Sequence, residues 1–329
     1  MDVIHRRAAG LDVHKQTVVA CVRLMKGRTV VRACETFATT AGLQALLAWL
    51  EAHRCTHVAM EATGVYWMPI WKILSPGAFD LIVANAAHLK AVPGRKTDLN
   101  DAMWIADLVA CGLVKASFVP EEEFQELRAL MRTRKQLSYE QTRYVQRLQK
   151  TLTEANLRLD AVLSDLMGAS GRRILQAIIA GVRSPEELAG LARGLKASPQ
   201  ELRDALHGRV TAHHRFLLEL YLGQWDRLDA AIRALDREVE DRLTQIDAQR
   251  KPDAAPFRAL IALLGTIPGG GRLAATVILS EVGPDMSRFP TAGHLVAWAG
   301  LCPGPNGSAG KRKTTRQGPG PPWLKTTLG

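Results

Sequence analysis

The spacing of apolar and polar positions changes period several times along the chain. Residues 8–15 (AGLDVHKQ) form a short apolar run that ends in polar residues, the pattern of a buried strand. TVVACVRL (17–24) and TVVRACETF (29–37) are β-branched runs separated by MKGR, which predicts a hairpin. TTAGLQALLAWLEAH (39–53) opens on a threonine cap and has helical apolar spacing. THVAMEATG (56–64) is strand-like to Glu61 and breaks at Gly64. VYWMPIWKIL (65–74) predicts a short helix and FDLIVAN (79–85) another strand. DLNDAMWIADLVACG (98–112) predicts a helix with Asp98 in its first turn and Gly112 just past its end.

In order, these elements read β-β-β-α-β-α-β-α. A three-stranded start followed by βα units predicts a mixed sheet with helices on both faces. The order matches the ribonuclease-H-like (RuvC-like) fold. Glu121 to about Gly168 then predicts one long basic helix, with Leu127, Leu137, Leu148, Leu152 and Leu159 among its apolar positions. Residues 171–210 read as short helices broken at Pro185, Gly194 and Pro199. A second long helix covers 214–247. Within it Leu218, Trp225, Ile232, Val239 and Ile246 recur every seven residues, with Leu228 and Leu235 between them, a coiled-coil seam. Its partner is either the basic helix of the same chain or a second subunit. Lys251-Pro252-Asp253-Ala254-Ala255-Pro256 breaks the pattern. The expected class is α/β plus α: a RuvC-like domain over 1–118, a helical coiled-coil region over 119–256, and a mainly helical C-terminal domain over 257–329.

Charge narrows the range of partners. Lys and Arg number 43 against 32 Asp and Glu, a net +11. The excess is clustered: residues 128–158 hold eight bases and two acids, and residues 302–329 hold five bases and no acid. Clustered bases favour a phosphate-bearing partner, DNA or RNA. Arg128, Arg132, Arg134, Lys135 and Arg143 are the candidate contacts on the basic helix. The five cysteines are scattered without a CxxC pair, which argues against a disulfide framework and against zinc. The N-terminus lacks the apolar core of a signal peptide, and no apolar run reaches the ~18 residues of a membrane span. A cytoplasmic protein with no membrane partner is expected.

The acids carry the candidate chemistry. Asp12 lies at or near the end of the first strand and Glu61 at the end of the fourth, neighbours in the ribonuclease-H-like order. Asp98 and Asp101, three apart, share a helical face. Asp107 is roughly 240° around the helix from Asp101 and points elsewhere. Read alone, Asp98 and Asp101 suit an ordinary helix N-terminus. Asp12 and Glu61 are harder to explain that way, because an unpaired buried acid is costly. Four converging carboxylates repel one another unless a cation joins them. Magnesium prefers such oxygen ligands, and two ions form the usual clamp for phosphoryl transfer. Arg95 and Lys96 either pair with these acids or face a phosphate backbone.

Two C-terminal stretches add to this. Ile267-Pro268-Gly269-Gly270-Gly271 leads into an apolar helix and resembles a helix-hairpin-helix element, whose turn amides (Gly269, Gly271) would grip phosphate. An ordinary Gly-rich helix connection is the alternative. Ser308 sits between Gly307 and Gly310, followed by Lys311, Arg312 and Lys313. Read from its residues alone, this is a flexible, exposed loop, solvated or touching DNA, because a serine needs an activating base and none is adjacent.

The blocks GLDVHK, MEATGVYW, GRKTDLNDAMWIADL and GLCPGPNGSAGKRK resemble those of the DEDD insertion-sequence transposases, relatives of the Piv-type invertases. The resemblance implies a RuvC-like domain whose acids, here Asp12, Glu61, Asp98 and Asp101, bind Mg2+. It also implies that Ser308 attacks the DNA phosphodiester, with the base supplied by the metal site of another domain. A structured bridge RNA from the element is implied as a guide, and a homodimer or higher oligomer as the working form. Family members continue past the PWLK-like segment, so the C-terminal domain is expected to be incomplete. Two other functions stay open: a RuvC-like structure-selective endonuclease using water, and a decayed nucleic-acid-binding protein without catalysis.

Overall fold

The computed structural model describes residues 3–62, 64–85, 89, 100–302, 306–308, 311–314 and 320–328. The chain forms two compact units, Met1–Val119 and Pro120–Gly329.

The first unit is built on a five-stranded sheet. Its strands are β1 (Arg7–Val13), β2 (Thr17–Lys26), β3 (Thr29–Ala38), β4 (His57–Glu61) and β5 (Asp80–Ala84), in the spatial order β3-β2-β1-β4-β5. β1 to β3 are antiparallel, whereas β4 and β5 run parallel to β1. This is the mixed, ribonuclease-H-like sheet. Helices α1 (Leu43–Ala52) and α2 (Trp67–Leu74) cover one face. There Leu11, Val18, Val58 and Met60 pack with Leu46, Leu50, Ile70 and Leu74. Helix α3 (Asn100–Ala110) covers the other, where Ala8, Ala59 and Ala84 meet Ile105, Leu108 and Val109. The face contacting α3 is alanine-rich because the helix lies close to the sheet. Gly112, with φ +66°, ends α3 as the sequence suggested.

The cysteine pattern needs correction. Cys21 and Cys34 form a disulfide. Their separation in sequence hides it, but antiparallel register sets them directly opposite on β2 and β3.

The second unit is organised by two long helices, α4 (Glu122–Glu154) and α9 (Ala212–Gln249). They pack in opposite directions. Leu148 and Leu152 share a core with Leu218 and Leu222, whereas Phe124, Leu127 and Met131 share one with Val239, Leu243 and Ile246. The seam of α9 is therefore covered within the chain, and it gives no support to a dimer. The basic helix stops at Glu154, short of the expected 168. Asn156 adopts a left-handed conformation (φ +60°), and the Leu157 N–H closes the turn on the Leu152 carbonyl at 2.8 Å. The following leucines turn into a helical cap made of α5 (Leu159–Val162), α6 (Ala169–Ala180), α7 (Pro185–Gly190) and α8 (Pro199–Ala205). Ser184 and Ser198 start α7 and α8 as N-caps before proline, which fixes the breaks read at Pro185 and Pro199.

Residues from 257 onward pack into this same unit. α10 (Phe257–Leu264) and α11 (Arg272–Val282) join the core of the long helices through Phe257, Ile261 and Ala275. A 3-10 turn (Met286–Arg288), α12 (Ala292–Trp298), the strands β6 (Asn306–Ser308) and β7 (Lys311–Thr314), and α13 (Pro322–Leu328) follow. Among the described residues no helix is long and apolar enough to cross a membrane.

Candidate active site at the edge of the sheet

β1 and β4 are parallel neighbours, with Gly10 opposite Ala59 and Leu11 opposite Met60. The next pair along is Asp12 and Glu61. Alternation sends Ala8, Gly10 and Asp12 to one face, and Ala59 and Glu61 to the same one. That face is the one covered by α3.

Helix α3 runs back along β1. Its last residue, Ala110, accepts hydrogen bonds from the Ile4 and His5 amides at 2.8 and 3.0 Å, just before β1 begins. Further back, Asp107 pairs with Arg23 at 2.8 Å, and Arg23 stands opposite Ala8. Ala102 and Ala106 lie against Gly10: a Cβ on that glycine would come within 2.2 Å of the Ala102 carbonyl and 2.5 Å of the Ala106 nitrogen. The start of the helix, with Asp101, is thus carried to the end of β1, where Asp12 sits. Gly10 is required there because any side chain would strike the helix backbone. Asp98 lies outside the described residues, as do Arg95 and Lys96.

Asp107 has a different task. It is held by Arg23 and also by Arg32, at 2.9 and 3.0 Å, and it ties α3 to β2 and β3. A residue not singled out in the sequence joins the site: His14 Nε2 lies 3.1 Å from Asp12 Oδ2. Its position two residues after Asp12 was the available signal. Asp12 is largely withdrawn from solvent, its side chain 19% exposed.

Among the described residues no three acidic, histidine or cysteine side chains are gathered closely enough to hold a metal ion. The chemistry of the donors nonetheless suits a hard divalent cation. Asp12 and Glu61 are carboxylates on one face at one end of the sheet, Asp101 lies in the first turn of the helix over that face, and Mg2+ takes carboxylate oxygen and water.

In the second unit the Ser308 segment is regular. β6 and β7 form an antiparallel ladder with Ser308 opposite Lys311 and Gly307 opposite Arg312, in place of the flexible loop expected from the glycines. At the Gly-rich turn, Gly269 has φ +82°, which explains glycine there. Open space surrounds the Cβ positions of Gly269 and Gly271, so the backbone ahead of α11 can be approached closely.

The basic helix divides into two groups. Arg132 makes a bidentate pair with Glu281 at 2.7 and 2.8 Å, and Arg128 bonds the Glu281 carbonyl at 2.6 Å. Glu281 is 2% exposed. Burial lowers the Arg128 pKa, and the Glu281 carboxylate opposes that fall. Arg134 pairs with Asp236 at 2.5 Å, and Lys135 bonds Trp323 and Thr326. These four bases hold α4 to its neighbours. Arg143 lies exposed on the outside of the helix.

Comparison with known proteins settles the family. Residues 9–157 match the DEDD-type IS110 transposase model, and residues 261–329 match the transposase IS116/IS110/IS902 family. The chain belongs to this transposase family. An IS110 relative from Streptomyces coelicolor strain A3(2), described as an uncharacterized 43.6 kDa insertion-element protein, is 27% identical over 258 residues. The match covers 70% of this chain and 61% of the relative, so this family member spans about three-fifths of that protein's length. Thermus thermophilus RuvC aligns over 34% of this chain and 99% of its own, at 14% identity and a TM-score of 0.27. The fold assignment rests on the strand order and pairing described above.

Proposed function

We propose that the chain is a DNA transposase or recombinase that cuts and rejoins strands by phosphoryl transfer. The observation that supports this reading is the packing of α3 on Gly10, with Asp101 one residue before the Ala102 it contacts and Asp12 two residues beyond the glycine. In this proposal Asp12, Glu61, Asp98 and Asp101 hold two Mg2+ ions. When bound, the ions stabilise charge on the attacking and leaving oxygens. Ser308 Oγ forms a bond to phosphorus, the bond from phosphorus to one deoxyribose oxygen breaks, and that oxygen takes a proton. The serine proton passes to the carboxylate edge of a first unit, supplied by another subunit of a homo-oligomer. Reversal with a different strand end rejoins the DNA.

Nucleic-acid contacts in this reading come from Arg95, Lys96, Arg143, Lys311, Arg312 and Lys313, and from the amides at Gly269 and Gly271. A structured bridge RNA is the proposed guide, with DNA as substrate. Co-purification of nucleic acid followed by sequencing tests the guide: recovery of a discrete RNA from the element supports it, and DNA alone rejects it.

A second reading is favoured by one observation: Ser308 and the acids belong to separate compact units. The acids would then activate water, as in a structure-selective endonuclease. Ser308→Ala distinguishes the two. Loss of a covalent protein–DNA adduct supports the serine, whereas unchanged strand cleavage supports water.

A further inference from the structure

The helical cap of the second unit holds a small cavity between two chain connections. The connection from α6 to α7 begins at Gly181, whose left-handed φ of +101° turns the chain, and the Val182 N–H closes on the Ala177 carbonyl at 3.0 Å. Arg183 follows. The connection from α8 to α9 is pinned to the turn after α4. There the Arg209 N–H donates to the Ala155 carbonyl at 2.8 Å, and Asn156 Nδ2 donates to the His207 carbonyl at 3.1 Å. Gly208 permits this approach: a Cβ there would lie 2.3 Å from the Ala155 carbonyl and 2.8 Å from Leu157 Cδ2. Hydrogen bonds and close packing therefore set both segments before any ligand arrives.

The cavity measures about 310 Å³. Buried Leu157, Leu188 and Leu206 give it apolar walls, and Arg183 and Arg209 line it as well. No carboxylate is among its lining residues. Neither guanidinium has a hydrogen-bond or ion-pair partner among the described residues. The neighbouring arginines of α6 differ: Arg172 pairs with Asp226 at 2.7 Å, and Arg173 donates to the Leu191 carbonyl at 3.0 Å.

Two cations without a counter-charge favour an anion, and apolar walls favour an uncharged body attached to it. Guanidinium forks match phosphate oxygens. The volume falls at the low end of the roughly 300–1,000 Å³ of small-ligand sites, which suits one nucleotide and excludes a duplex. Bases of a single strand can be splayed out one at a time, whereas a duplex keeps them stacked inside. We propose that this cavity takes one unstacked nucleotide of a single-stranded nucleic acid, its base against the leucines and its phosphate on Arg183 and Arg209. The proposal rests on the nucleic-acid partner of the proposed function and not on its chemistry, so it is the same whether serine or water attacks.

The test uses the full chain and a short single strand carrying one 4-thiopyrimidine, prepared as DNA and as RNA, with the matching duplexes as controls. Irradiation joins the thio-base to the side chains it touches, and mass spectrometry of the peptides locates the joint. The affinity of each strand is measured alongside. A crosslink within residues 182–188 or 206–211 is expected with a single strand and not with its duplex. Combining Arg183→Ala with Arg209→Ala should remove that crosslink and weaken single-strand binding about tenfold or more, the scale of losing hydrogen bonds to a charged group. Thermal unfolding should be unchanged, because neither side chain holds a neighbour. If the double variant does not fold, the two single variants carry the comparison. The sugar series that crosslinks more strongly names the source of the nucleotide. Crosslinks confined to other segments overturn the nucleotide in favour of an acidic peptide as the occupant. A crosslink at the cavity that survives undiminished in the double variant overturns the role of the arginines and with it the proposal.

Discussion

The Ala102 carbonyl of α3 occupies the place where a side chain on Gly10 of β1 would stand, 2.2 Å from that Cβ position. This approach fixes α3 on the sheet and turns the helix start that carries Asp101 toward the Asp12 end of β1. Gly10→Ala is expected to destabilise the first unit by about 1–3 kcal/mol, the usual cost of forcing extra volume into a packed interior. It should also weaken Mg2+-dependent DNA cleavage by more than the loss of folded protein accounts for. Thermal unfolding and cleavage at saturating DNA separate the two effects.

Glu281, buried in the second unit, pairs with two arginines, Arg128 and Arg132. Glu281→Ala leaves Arg128 and Arg132 without their carboxylate in a mostly buried position. Breaking such a pair from one side costs roughly 3–5 kcal/mol. Denaturant unfolding should show the loss, and Arg132→Ala should show a smaller one.

Arg143 is expected to behave in the opposite way. Arg143→Ala should change stability by less than about 0.5 kcal/mol, as exposed substitutions do. It should reduce the salt dependence of nucleic-acid binding by about one unit in the log–log slope if Arg143 meets a phosphate. Binding titrations over a range of salt check both variants, and Arg132→Ala should leave the slope unchanged.

His57 gives a pH signature. Burial lowers its pKa from the usual 6.5, His5 lowers it further, and Asp80 opposes them. The unfolded chain then binds a proton at a pH where the folded chain does not. The neutral ring's contribution is present above pH 6.5 and is lost as pH falls from there toward the lowered folded value. His57→Gln should flatten the stability profile of the first unit across that window.

Much of the first unit is readable from sequence because each strand carries its own apolar run and each helix its own period. The strand order then follows from few alternatives. Asp107 could be set aside on helical phase, and its pairing with Arg23 and Arg32 gives it a separate task. Contacts between distant residues are what the sequence conceals. Cys21 and Cys34 meet only through register, and the pairing of Arg128 and Arg132 with Glu281 and of Arg134 with Asp236 is hidden because those carboxylates lie about a hundred or more residues away in sequence. The seam of α9 announced a partner helix without saying whose. Leu148 and Met131 of the same chain cover it.

In the proposed reaction the four acids and Ser308 act in one phosphoryl transfer. The most direct measurement is Mg2+-dependent formation of a covalent protein–DNA adduct by the unaltered chain, Asp12→Ala and Ser308→Ala, each with its DNA affinity determined. An adduct is expected in the unaltered chain alone, with both variants still binding DNA. An adduct that persists in Ser308→Ala, or chemistry that survives in full in Asp12→Ala, would contradict it.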